Sequence, residues 1–135
     1  MQNKMNWITS KLAILGGLVH ISMAMSLLFL PVLITCRFGD RSEGCYSQSY
    51  IQQGGNLLGY TFLLLMILAG IVAIYSSSDS NYKRAYISRW LIVLASGIVV
   101  VIAGFGFGII FVPGGLLVLL AILLQTITET RQYKA

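Results

Sequence analysis

The sequence contains few charged residues. Only 10% of its 135 residues are Asp, Glu, Lys or Arg, whereas 57% are hydrophobic. Soluble domains typically carry about 25% charged residues, so this chain has too little charge to cover a water-exposed surface, and we expect lipid to be its solvent. Its long apolar runs also contain no carboxylate. That absence argues against a proton-coupled or cation-coupled transporter, which usually needs an intramembrane acid.

Residues that bind metals or carry catalysis are equally scarce. The chain has one histidine and two cysteines, too few for a four-ligand zinc site or for a bis-histidine haem. No C-x-x-C pair is present to exchange disulfides. The basic residues lie in the gaps between apolar runs instead of forming one patch, so we expect no nucleic-acid partner. We therefore predict a non-enzymatic protein with no catalytic, cofactor-binding or metal-binding residues.

Four apolar segments predict an all-α integral membrane protein, a single-domain bundle of four transmembrane helices. The predicted spans are residues 12–35, 57–75, 90–107 and 113–128. A spanning helix needs about 20 apolar residues, because each residue rises 1.5 Å through roughly 30 Å of hydrocarbon. The last two spans come from one uncharged stretch that is too long for a single crossing.

Glycine and proline interrupt that long stretch and predict a tight hairpin between the last two helices. Glycine weakens helix continuity, and proline lacks a backbone N–H donor. The residues of the predicted turn are Gly104, Gly106, Gly108 and Pro113. Each arm is slightly short for a bilayer, so a re-entrant hairpin that does not cross the membrane is the alternative.

The basic residues predict the orientation. Seven of the nine lie in the two tails and the loop 76–89, whereas the loop 36–56 holds two that are offset by two acids. By the positive-inside rule, both termini and the loop 76–89 are cytoplasmic and the loop 36–56 is outside. Short loops and tails favour a plasma (inner) membrane. We expect Lys83, Arg84 and Arg89 to contact anionic lipid headgroups.

The two cysteines, Cys36 and Cys45, both fall in the predicted outer loop. A disulfide is the expected state of such a pair in an oxidising compartment. Gly39 and Gly44 lie between the two cysteines and allow the chain to reverse. The alternative leaves Cys36 as a buried thiol at the end of the first helix.

Polar residues inside the spans are the remaining candidates for a functional site: His20, Ser22, Ser26 and Gln125. An ionisable residue within a membrane segment is a functional candidate by default. A neutral imidazole, however, can also hydrogen-bond a hydroxyl or carbonyl of a neighbouring helix. His20 shares a helix face with Gly16, Gly17 and Ala24, which favours a structural role.

These observations predict an accessory or structural component of a membrane complex. Its expected partners are membrane lipids and either a membrane protein or further copies of the chain. The alternative is an oligomeric channel or uncoupled small-solute transporter, in which the four intramembrane polar residues would line a path.

Overall fold

The computed structural model describes residues 2–37, 44–78 and 82–133, so residues 38–43 and 79–81 of the two predicted loops lie outside it. The described chain is mostly helical. Its elements are α1 (Gln2–Phe29), β1 (Leu33–Arg37), β2 (Gly44–Gln48), α2 (Leu57–Ser78), α3 (Tyr82–Phe107), a 3-10 turn (Gly108–Phe111) and α4 (Val112–Tyr133).

Four helical segments are long and apolar enough to cross a membrane, and the fourth begins in the 3-10 turn before α4. These segments are Trp7–Phe29, Leu57–Ser78, Lys83–Ile102 and Ile109–Thr128. The prediction of four helices of spanning length is therefore confirmed. The bounds of the helices differ from the predicted spans, chiefly because charged residues next to the apolar runs are also helical.

The four helices form a closed ring in chain order. Helix α1 packs against α2 and α4, and α3 packs against the same two helices from the opposite side. Helices α1 and α2 approach each other closely at two glycines, Gly17 and Gly70. A Cβ added at Gly17 would lie 2.6 Å from the carbonyl oxygen of Gly70, and a Cβ added at Gly70 would lie 2.7 Å from the carbonyl oxygen of Gly17. Small residues at this crossing let the two backbones approach directly.

Helix α1 ends earlier than the predicted span 12–35. It stops at Phe29, and Leu33–Arg37 is a β-strand instead. Pro31 explains the difference, because proline disfavours helical angles in the preceding residue and cannot donate a backbone hydrogen bond. Strand β1 pairs antiparallel with β2, with Cys36 directly opposite Cys45. The predicted outer loop 36–56 thus includes most of a β-hairpin.

The predicted cytoplasmic loop 76–89 is largely helical. Helix α2 continues to Ser78, and α3 begins at Tyr82. The Ser76 hydroxyl donates a hydrogen bond to the carbonyl of Ala73 within α2. Serine is accommodated at the helix end because this bond satisfies its side chain within the helix.

The reversal between α3 and α4 is a 3-10 turn. Gly104 and Gly106 lie within α3, Gly108 begins the turn, and Pro113 is the second residue of α4. Proline is tolerated there because the first helical residues need no intrahelical N–H donor. Most of the predicted turn residues therefore flank the reversal instead of forming it.

Tyr50 closes the end of the bundle next to the β-hairpin. Its backbone N–H donates to the carbonyl of Leu27, and its hydroxyl donates to Asn56 Oδ1 at 3.0 Å. The same Asn56 oxygen accepts the backbone N–H of Gly59, which caps the start of α2. The ring packs against Tyr60, with the ring centroids 5.0 Å apart. One tyrosine thus ties the hairpin, α1 and α2 together.

Candidate functional site

The imidazole of His20 lies at the centre of the bundle and has no exposed surface. Its Nδ1 is 2.9 Å from the carbonyl oxygen of Gly16, one turn earlier in α1. Its Nε2 is 2.9 Å from the hydroxyl oxygen of Ser96 in α3. Because α1 and α3 occupy opposite corners of the ring, this hydrogen bond links the bundle across its diagonal.

Helix α4 provides the space that the imidazole occupies. A Cβ at Gly114 would lie 2.3 Å from His20 Nδ1, so only glycine fits at this position without displacing the ring. Phe111 stacks beside the imidazole, with centroids 6.2 Å apart and planes 22° from parallel. Residues of α1, α3, α4 and the 3-10 turn therefore hold one polar ring in place.

The hydrogen bond to the Gly16 carbonyl places a hydrogen on Nδ1 of His20, whereas the state of Nε2 depends on the Ser96 hydroxyl. The Gly16 carbonyl can only accept, so Nδ1 carries a hydrogen, and Nε2 of the neutral ring accepts from the Ser96 hydroxyl. The Ser96 oxygen also lies 2.9 Å from the carbonyl oxygen of Ile92. If Nε2 were protonated, Ser96 would accept from it and donate to Ile92 instead. Rotation of one hydroxyl would therefore satisfy either protonation state of the ring.

A second polar contact, between Arg89 and Gln125, links α3 to α4. Both side chains are buried, with exposures of 4% and 5%, and Arg89 Nη1 donates to Gln125 Oε1. The guanidinium of Arg89 points into the bundle, and its expected headgroup contact stays a prediction. Lys83 and Arg84, by contrast, are exposed at the start of α3. Arginine is well suited to such a buried contact, because its several donors reach more than one acceptor.

The four intramembrane polar candidates do not meet in one place. His20 bonds to Ser96, and Gln125 bonds to Arg89. Ser22 is exposed on the outside of the bundle, and Ser26 is partly exposed. No common polar path runs past all four within the described part of one chain.

Sequence reasoning missed Ser96, the partner of His20 in α3. The position of Ser96 in α3 indicates that it is buried. The buried residues of this helix follow one another at alternating intervals of four and three residues. They are Ala85, Arg89, Ile92, Ser96 and Val99. This is the spacing of a helix seam that packs against its neighbours. A polar residue in such a seam is a candidate partner for another buried polar residue.

Cys36 and Cys45 are joined across the hairpin of β1 and β2. Their Cα atoms are 4.1 Å apart, and their sulfur atoms lie at disulfide-bonding distance. Both residues are exposed, at the far side of the hairpin from Tyr50. The arrangement fixes the pairing of β1 with β2, away from the polar centre of the bundle.

Within residues 2–37, 44–78 and 82–133, no three His, Cys, Asp or Glu side chains come together as a group that could hold a metal ion. Comparisons with protein families, with curated proteins and with solved structures found no match to this chain.

Proposed function

We propose that this chain is a four-span protein of the plasma (inner) membrane that acts, without catalysis, as an accessory or structural component of a membrane complex. The observation that carries the proposal is that the buried polar side chains at the centre are used to hold helices together. His20 joins α1 to α3, and Arg89 joins α3 to α4. Neither presents a reactive group to a substrate cleft.

The outer surface of the bundle supports insertion into lipid. Between 28% and 33% of each candidate span is buried inside the bundle. Large apolar side chains point outward along all four helices, with Val101 81% and Leu57 84% exposed. A continuous apolar surface of this extent marks contact with a membrane or with other proteins.

The distribution of charge and aromatic residues supports cytoplasmic termini. Lys11, Lys83 and Arg84 are exposed at the end of the bundle that holds the N-terminus and the α2–α3 connection. Trp7 and Tyr75 are exposed at the same end, at 61% and 77%. Basic residues favour the cytoplasmic side, and tryptophan and tyrosine favour the membrane interface.

The accessory role is tested by purification from the native membrane. A C-terminally tagged chain is extracted in a mild detergent, and the mass and composition of the intact particle are measured by native mass spectrometry. We expect a stoichiometric complex with a second membrane protein. A lone monomer would contradict the proposal, and a homo-oligomer that conducts solute in liposomes would replace it with the channel alternative.

Photo-crosslinking at single positions sharpens this test. Leu94 on α3 and Leu18 on α1 are 57% and 49% exposed and lie on opposite sides of the ring. A photoreactive residue at each position reports which side the partner covers. We expect one position to crosslink the partner and the other to give lipid adducts only. Equal, weak capture of many proteins at both positions would count against a defined complex.

A further inference from the structure

A groove of about 390 Å³ lies on the surface of the bundle between the end of α2 and the start of α3. Its lining residues are Ile71, Val72, Tyr75, Ser76, Ser78 and Ser88. The groove is open to the surroundings of the bundle and is separate from the His20 and Arg89 contacts. Its lining includes both apolar and hydroxyl-bearing residues.

The lining changes from apolar to polar along α2. Ile71 and Val72 lie nearest the middle of the helix, and Ser78 is its last residue. Ser78 lies seven positions after Ile71 in the helix, a rise of about 10 Å. A molecule bound along this groove would therefore meet hydrocarbon at one end and hydroxyl groups at the other.

Positive charge is concentrated at the polar end of the groove. Arg84 lies one turn before Ser88 on α3, and residues four apart share a helix face. Lys83 is adjacent, and both cations are exposed. Neither α2 nor α3 contains an acidic residue, and the one acid between them, Asp79, lies outside the described residues. Lys83 and Arg84 outnumber this single acid in the sequence of this end of the bundle. The polar end of the groove therefore favours an anion.

We propose that this groove binds one anionic phospholipid. Ile71 and Val72 contact the start of an acyl chain, while the hydroxyls of Ser78 and Ser88 and the charge of Arg84 bind the phosphate. Hydroxyls and a guanidinium are suitable donors to phosphate oxygens. The inference rests on the proposed membrane location, with this end of the bundle facing the anionic cytoplasmic leaflet.

The test measures lipid binding to the purified full-length chain by native mass spectrometry. Phosphatidylglycerol and phosphatidylcholine of identical acyl chains are titrated separately. We expect one tightly retained phosphatidylglycerol per chain and weaker binding of phosphatidylcholine. Arg84→Gln should weaken phosphatidylglycerol binding about fivefold, the contribution of one basic residue near an anionic surface. Adding Ser88→Ala to Arg84→Gln should weaken phosphatidylglycerol binding further.

Lys11→Gln is the matched control, because it removes one exposed positive charge at the same end of the bundle but on α1, diagonally across from α3. Equal losses in Arg84→Gln and Lys11→Gln would overturn the proposal, as would equal binding of the two lipids. Displacement of the lipid by millimolar inorganic phosphate would show a free-anion site and would also overturn it. Failure of the chain to float with liposomes would instead refute the membrane location itself.

Discussion

Replacing Gly114 with alanine tests whether the bundle is built around His20. The new Cβ would lie 2.3 Å from His20 Nδ1 and 2.6 Å from Cε1. Carbon makes favourable contacts at about 3.5–4.0 Å, so either the ring or α4 must move by about 1 Å. The ring has little freedom to do so, because both of its nitrogens are hydrogen-bonded.

Two costs add up to the expected destabilisation. Overpacking a filled site typically costs about 1–3 kcal/mol. Disturbing a side-chain hydrogen bond between membrane helices costs about 0.6 kcal/mol on average, and His20 makes one such bond, to Ser96. We therefore expect Gly114→Ala to lower the free energy of unfolding by about 2–4 kcal/mol. The measurement is SDS-induced unfolding in mixed micelles, followed by far-UV circular dichroism.

Gly97→Ala is the matched control. It is the same substitution on α3, but no atom lies within 4 Å of its added Cβ. We expect this variant to be as stable as the parent chain or up to about 1 kcal/mol more stable, because alanine favours a helix interior over glycine. In a His20→Ala background the clash is gone, so Gly114→Ala should then cost much less. The reasoning is refuted if Gly114→Ala is as stable as Gly97→Ala, or if its cost is the same in the His20→Ala background.

Three further substitutions test other contacts by the same unfolding assay or by proteolysis. Ser96→Ala should destabilise the bundle by about 1 kcal/mol, because Nε2 of His20 loses its partner; an unchanged midpoint would show that this contact contributes nothing. Tyr50→Phe removes the hydroxyl that bonds to Asn56 and should cost about 0.5–1.5 kcal/mol, whereas a stability equal to that of the parent would contradict that role. Cys45→Ser should speed proteolysis of the outer hairpin while leaving the unfolding midpoint of the helices nearly unchanged, and a large midpoint shift would show that the disulfide supports the whole bundle.

The number of helices and their approximate positions in the chain could be predicted because hydropathy reports them directly. The ends could not be placed as well, because local chemistry decides them. Pro31 ends α1 before its apolar run ends, and serines that bond within the helix carry α2 beyond its run. The outer hairpin was not foreseen as β-structure, since its strands are short and one begins within an apolar run.

Of the hydrogen-bonded pair His20 and Ser96, the sequence identified only His20. His20 was identifiable as a buried ionisable residue, but hydropathy does not report which way a helix faces its neighbours. The partner of His20, Ser96, follows only once α1 and α3 are placed on a diagonal. Arg89 illustrates the same limit: its position near a span end predicts a headgroup contact, whereas the buried seam of α3 turns it toward Gln125.

The membrane topology is the central claim, and labelling of single cysteines tests it most directly. In a Cys36→Ser, Cys45→Ser background, one cysteine replaces Ser47 in the hairpin or Ser78 at the end of α2, both of which are exposed. A membrane-impermeant maleimide is then added to intact cells and to permeabilised cells. We predict that Ser47→Cys is labelled in intact cells and Ser78→Cys only after permeabilisation. The reverse pattern, or equal labelling of both positions in intact cells, would contradict the four-span arrangement with cytoplasmic termini.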